Sequence, residues 1–168
     1  MDPEVGQPIM ETSLDLNKGV PKILMDLIGS CREFLGIDPA WHIYVKMNDT
    51  PAGSAKNAAC TTAYPVYFNA HLDFTPATII EAKNIRTQYI LHELLHVSLS
   101  EIDEVIEEML ALLPRKMKKV LKRKYQDEVE RFIQRTVRGI TDKPWILQDL
   151  ASTFKEIPDE YPSTPKSN

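Results

Sequence analysis

The chain predicts an α+β fold: one N-terminal helix, a small three-stranded sheet, then helices to the end of the domain. Three observations carry that expectation. Apolar residues recur at helical spacing in Ile23, Leu24, Leu27, Ile28, Phe34 and Leu35; they alternate in Val66, Phe68, Ala70, Leu72 and Phe74; and helical spacing returns after Pro76. With 168 residues, 43% hydrophobic and 26% charged, the composition matches one globular domain with a core of its own.

Residues 1–18 carry Pro3, Gly6 and Pro8 with scattered acids and little periodicity, which reads as a loose arm before a domain at 19–140. Pro21 suits a first helical turn and Gly36 a helix end, so the first helix lies between them. Trp41–Met47 is rich in aromatic and β-branched residues and reads as a strand. Pro51–Lys56, with Gly53 and Ser54, reads as a turn; a second strand is expected from Ala58 to Tyr64, and a third from Val66 to Phe74 after Pro65. The alternation puts Val66, Phe68, Ala70, Leu72 and Phe74 on the core, and Tyr67, Asn69, His71 and Asp73 on the other side.

A helix is expected from about Ile85 to Leu99. Ser100 can cap a second, with Asp103 at the capping-box position and Ile102, Val105, Ile106, Met109, Leu110 and Leu113 facing the core. Pro114 then opens a long helix carrying Leu121, Tyr125, Val129, Phe132, Ile133 and Val137, closing near Gly139. Residues 141–168 hold Trp145, Ile146, Leu147, Leu150 and Phe154 before Pro158, Pro162 and Pro165, which reads as a docking segment followed by a disordered tail.

The chemistry is concentrated in Leu91-His92-Glu93-Leu94-Leu95-His96, a His-Glu-x-x-His sequence within helical periodicity. Four-residue spacing puts both imidazoles on one helix face, where they can converge on one metal ion. With Leu95 at the centre of the apolar face, Leu91, Ser98 and Leu99 fall beside it, His92 and His96 at its edge, and Glu93 further round, reaching outwards. Zinc suits such a pair, because a catalytic site needs three protein ligands and one open position for water. Glu93 beside that water can take its proton, and the reaction implied is metal-assisted hydrolysis of a peptide bond.

The motif and the order of elements around it resemble the zincin metallopeptidases of the gluzincin type, in their smallest form, the minigluzincins, and compact phage-encoded relatives. The resemblance spans roughly residues 20–140. It implies a minimal zincin-like fold, a strand at Val66 to Phe74 along which an extended peptide pairs, and a third zinc ligand from a glutamate on a later helix, with a polar residue four positions on bracing a histidine. Glu130 followed by Gln134 fits that pattern and lies at the flank of the Val129 stripe; Glu107, at the flank of the preceding helix with Asp103, is the alternative. For the donor to a developing oxyanion the chain offers His42, His71, Tyr67, Tyr89 and Tyr125. His71, on the face away from the core, reads as a cleft-rim residue and not as a ligand.

Lys plus Arg at 20 against Asp plus Glu at 24 gives a net charge of −4, so no global basic field draws the protein to nucleic acid. Arg115–Lys124 nevertheless places seven cations in ten residues where a helix prefers acids. That run opens a reading as a DNA-associated, Spartan-like zinc protease; a solvated face balanced by neighbouring acids is the favoured account. A third reading is a catalytically weak, zinc-bearing regulatory or binding protein, and the apolar C-terminal segment could also lie in the cleft as an inhibitor. Two cysteines, Cys31 and Cys60, make no disulfide framework, and neither a signal peptide nor an apolar membrane span is expected. The expected setting is cytoplasmic, with a peptide or protein substrate, no membrane, and a monomer or small homo-oligomer.

Overall fold

The computed structural model describes residues 20–48, 58–81 and 83–152. The first helix, α1 (Lys22–Phe34), starts after Pro21 and ends on Gly36 at φ +65°. Ile37 N donates to Arg32 O and Gly36 N to Glu33 O, a paired bonding that satisfies the last carbonyls and needs a left-handed residue where glycine stands. Ile37 is buried beside Leu24, Leu27, Ile28 and Cys31, so the turn also pins the chain to the core.

Three strands follow: β1 (His42–Met47), β2 (Ala59–Tyr64) and β3 (Asn69–Phe74). Their order in the sheet is β1-β3-β2, with β1 parallel and β2 antiparallel to β3. The third strand starts at Asn69, not Val66. Pro65 and its neighbours form a 3-10 turn (Pro65–Tyr67), and Phe68 at φ +49° breaks the alternation there. Val66 is consequently 67% exposed, and Phe68 sits edge-on to Trp41 with ring centroids 5.7 Å apart. From Ala70 onwards the alternation holds, with Ala70, Leu72 and Phe74 buried.

This strand order corrects a second expectation. Both edges of β3 are hydrogen-bonded, so β3 cannot accept an added strand; β2 is the edge beside the motif helix. Residues 49–57, with the expected turn at Pro51–Lys56, lie outside the described residues, as do the N-terminal arm and the tail beyond Ser152.

After the short α2 (Pro76–Ile80), α3 runs unbroken from Lys83 to Ala111. The two helices expected on either side of Ser100 are therefore one. Neither glycine nor proline interrupts 83–111, and the Ser100 hydroxyl donates to Val97 O at 2.7 Å, serving the helix from within where a cap would start a new one. Pro114 starts α4 (Arg115–Thr141), which returns along α3, and α5 (Pro144–Ser152) contacts α1 and α4 and buries Ile146. One hydrophobic cluster joins α1, the sheet, α3, α4 and α5 through Leu27, Val45, Leu72, Leu94, Ile133 and Ile146. None of the described helices is long and apolar enough to cross a membrane.

Candidate metal centre

The core dictates where the motif points. Leu91, Leu94 and Leu95 are buried under α3, which turns His92 and His96 to the flank facing α4 with side chains 25% and 24% exposed. On α4, Ile133 and Val137 are buried, so Glu130, three residues before Ile133, comes to the rim facing those imidazoles, 47% exposed. His92 Nε2 and His96 Nε2 are 3.3 Å apart; Glu130 Oε2 is 3.4 Å from the first and Glu130 Oε1 3.2 Å from the second. Among the described residues these three form the one group whose ligand atoms converge in this way.

Glu107 does not join them. Its carboxylate pairs with Lys122 Nζ at 2.6 Å, one helical turn above the position where Tyr125 Oη donates to Asp103 Oδ1 at 2.5 Å. Gln134 lines the same cleft but makes no hydrogen bond to either histidine among the described residues, so the expected brace is absent. Ser98, expected on the apolar face, is exposed.

Glu93 is placed otherwise than its helical angle suggested. It is only 6% exposed, because β2 lies over that side of α3. Thr61 on β2 offers its hydroxyl to Glu93 Oε2 at 2.6 Å, with Glu93 O as a second acceptor at 3.1 Å. Burial pushes the Glu93 carboxyl up to about 7, the Thr61 hydrogen bond opposes that rise, and the Glu130 carboxylate adds to it. A carboxyl near neutrality is suited to taking and returning a proton. Burial likewise lowers the His92 pKa, helped by His96 and opposed by Glu130, which favours the neutral imidazole a metal requires.

Of the five possible oxyanion donors, Tyr67 and Tyr89 line the cleft. Tyr125 is committed to Asp103, and His71 stacks on Tyr44 with centroids 5.1 Å apart on the sheet face away from Leu72 and Phe74. His42 is exposed at the start of β1 and does not line the cleft. Sequence reasoning missed Thr61, Tyr64 and Arg138, all of which line the cleft, because each depends on which elements meet and none sits in a motif. The cation run lies on the outer half of α4, where Lys122 alone of the seven has an acidic partner among the described residues. Cys31 and Cys60 are both free thiols.

The cleft encloses about 1130 Å³, beyond the usual range of about 300–1,000 Å³ for small-molecule pockets, and so has room for several residues of an extended chain. No protein-family model matches this chain, and comparison with curated proteins and with solved structures finds no significant match.

Proposed function

We propose that this protein is a zinc-dependent peptidase of the gluzincin type, with His92, His96 and Glu130 as the zinc ligands and Glu93 as general base. One observation carries the proposal. For a tetrahedral ion bound at about 2.0–2.1 Å, neighbouring ligand atoms stand about 3.3–3.4 Å apart. His92 Nε2 and His96 Nε2 stand 3.3 Å apart, and the Glu130 carboxylate brings Oε2 to 3.4 Å from the first and Oε1 to 3.2 Å from the second, so that one ligand atom from each residue lies within 4.8 Å of the others. Two imidazoles and one carboxylate also form the donor set of known hydrolytic zinc sites, with a fourth position left to water.

Bound there, zinc supplies a Lewis acid that lowers the pKa of a water and polarises a substrate carbonyl. The chain's own residues do the rest. Glu93 takes the proton of the attacking water and delivers it to the leaving amine, and Thr61 holds the carboxylate in one orientation while it does so. Tyr67 or Tyr89, both lining the cleft, is available to donate to the carbonyl oxygen. The outer edge of β2, unpaired among the described residues, offers backbone groups to an extended peptide, which fixes the substrate by strand pairing without reading its sequence.

The test is Glu93→Gln. Purified after expression with ample zinc, parent and variant should each carry about one zinc per chain by elemental analysis, and the variant should cleave fluorescent casein at least about 100-fold more slowly. Metal-free parent protein, or a variant as fast as the parent, would sink the proposal.

A further inference from the structure

Charge is distributed unevenly along the cleft. Beyond His96, the α3 wall carries Asp103, Glu104 and Glu107. Two of these acids are already engaged, Asp103 with Tyr125 and Glu107 with Lys122. In the other direction the walls carry Gln88, Gln134 and Arg138. Gln88 Nε2 donates to Thr141 Oγ1 at 3.2 Å, tying α3 to the end of α4 and fixing the helical turn from which Arg138 projects. Imidazoles aside, Arg138 is the one cation among the described residues lining the cleft, and it forms no ion pair with any of them.

Glu130, Gln134 and Arg138 follow one another at four-residue intervals, so they share one face of α4. At 1.5 Å per residue, Arg138 lies about 12 Å along the helix from Glu130. An extended peptide advances about 3.3 Å per residue, so that distance spans three or four residues of substrate. A guanidinium left without a partner in a cleft of this kind is matched by a carboxylate, which it can hold through two parallel hydrogen bonds.

We propose that Arg138 is a specificity-determining residue of this cleft: it receives a carboxylate of the peptide, from an Asp or Glu side chain or a free C-terminus, three or four residues from the bond that is cut. The inference rests on the peptidase reading for the position of that bond. It does not need turnover to be tested, because the selection acts on binding.

The experiment uses the zinc-loaded Glu93→Gln protein and fluorescent decapeptide pools of neutral residues. One set carries Asp at a single position with an amidated terminus; the other carries no acid and a free terminus. Anisotropy should show about tenfold tighter binding for Asp at one or two adjacent positions, or for the free terminus, and so identify the source of the carboxylate. Adding Arg138→Glu should abolish that preference and favour a further pool that carries Lys in place of the Asp, with zinc content unchanged, whereas Arg138→Lys should keep part of it. Equal affinities across all pools, or a preference that survives Arg138→Glu, would overturn the assignment. Loss of the peptidase reading would look different: no cleavage by the parent protein, with the Arg138-dependent preference intact.

Discussion

The inner and outer halves of the α3–α4 hairpin share one residue pattern and meet different surroundings. In the inner half, Leu91, Leu94, Leu95, Ile133 and Val137 are buried against α1, the sheet and each other. In the outer half, Ile102, Val105, Met109, Met117 and Val120 recur at the same spacing, yet each is more than half exposed. There the seam between the helices is largely polar, built from Glu107 with Lys122 and Asp103 with Tyr125, with Leu110 its one buried hydrophobic side chain among the described residues. Helical periodicity therefore specifies a face, and only a third element reaching that face turns it into core. The candidate metal centre stands where buried seam gives way to polar seam, which lets the proposed ligands be anchored by packing and still meet solvent.

The largest expected effect separates the two halves by their glutamates. Glu130→Ala should abolish stoichiometric zinc, while Glu107→Ala, which removes only an ion pair with Lys122, should leave it intact; elemental analysis of both variants after gel filtration decides. If Glu107→Ala is the one that loses zinc, the ligand set is wrong.

Packing should differ nearly as much. Ile133 is fully buried, so Ile133→Ala should cost about 2–5 kcal/mol in urea unfolding, whereas Val120→Ala in the outer half should stay within about 0.5 kcal/mol. Similar losses at both sites would mean that the outer face is covered in solution.

The buried base makes a third prediction, for protein stripped of metal by a chelator. In the fold Glu93 ionises at about 7 against an ordinary 4.5, whereas the unfolded chain gives up that proton earlier. Its contribution to stability is thus present below about pH 4.5 and lost as pH rises to about 7. The stability of the parent relative to Glu93→Gln should fall across that window by on the order of 3 kcal/mol. His92, whose pKa moves down, works in the opposite sense but is common to both proteins and cancels in the difference. A flat difference from pH 4.5 to 7 contradicts the burial of Glu93.

The smallest effect belongs to the contact across the cleft wall. Thr61→Val should leave zinc unchanged and slow turnover about tenfold, with Thr61→Ser recovering most of it, since the lost hydrogen bond to a charged acceptor is worth about 1.5–3 kcal/mol before relaxation. Equal rates for all three proteins would remove Thr61 from the account.

Much of the site was legible because its signals are local. His92 and His96 are four residues apart on one helix, and the offset from Val129 put Glu130 at a helix flank; its choice over Glu107 rested on Gln134 four residues on, a brace that the described residues do not show. What could not be read is pairing between distant segments. Nothing in Ala59–Tyr64 announces that this strand, and not β3, forms the edge, or that Thr61 meets a carboxylate on α3. Strand order follows from which surfaces fit together, and alternation is blind to it. Ser100 misled for the opposite reason: its local capping signal was real, but a hydroxyl that bonds back to Val97 is equally content inside a continuous helix.

The placement of the proposed ligands has a consequence for how the molecule assembles. Both imidazoles are in register as soon as α3 coils, but the carboxylate arrives only when α4 has turned at Leu112–Pro114 and docked. With the proposed ligand set, full affinity for an ion would be a property of the closed hairpin and not of the motif. An ion that binds there draws its free energy from closure and returns it as resistance to opening. Hydrogen exchange along α4 would then divide at Glu130, slow toward Thr141 and fast toward Arg115, with the division sharpening as the metal is added.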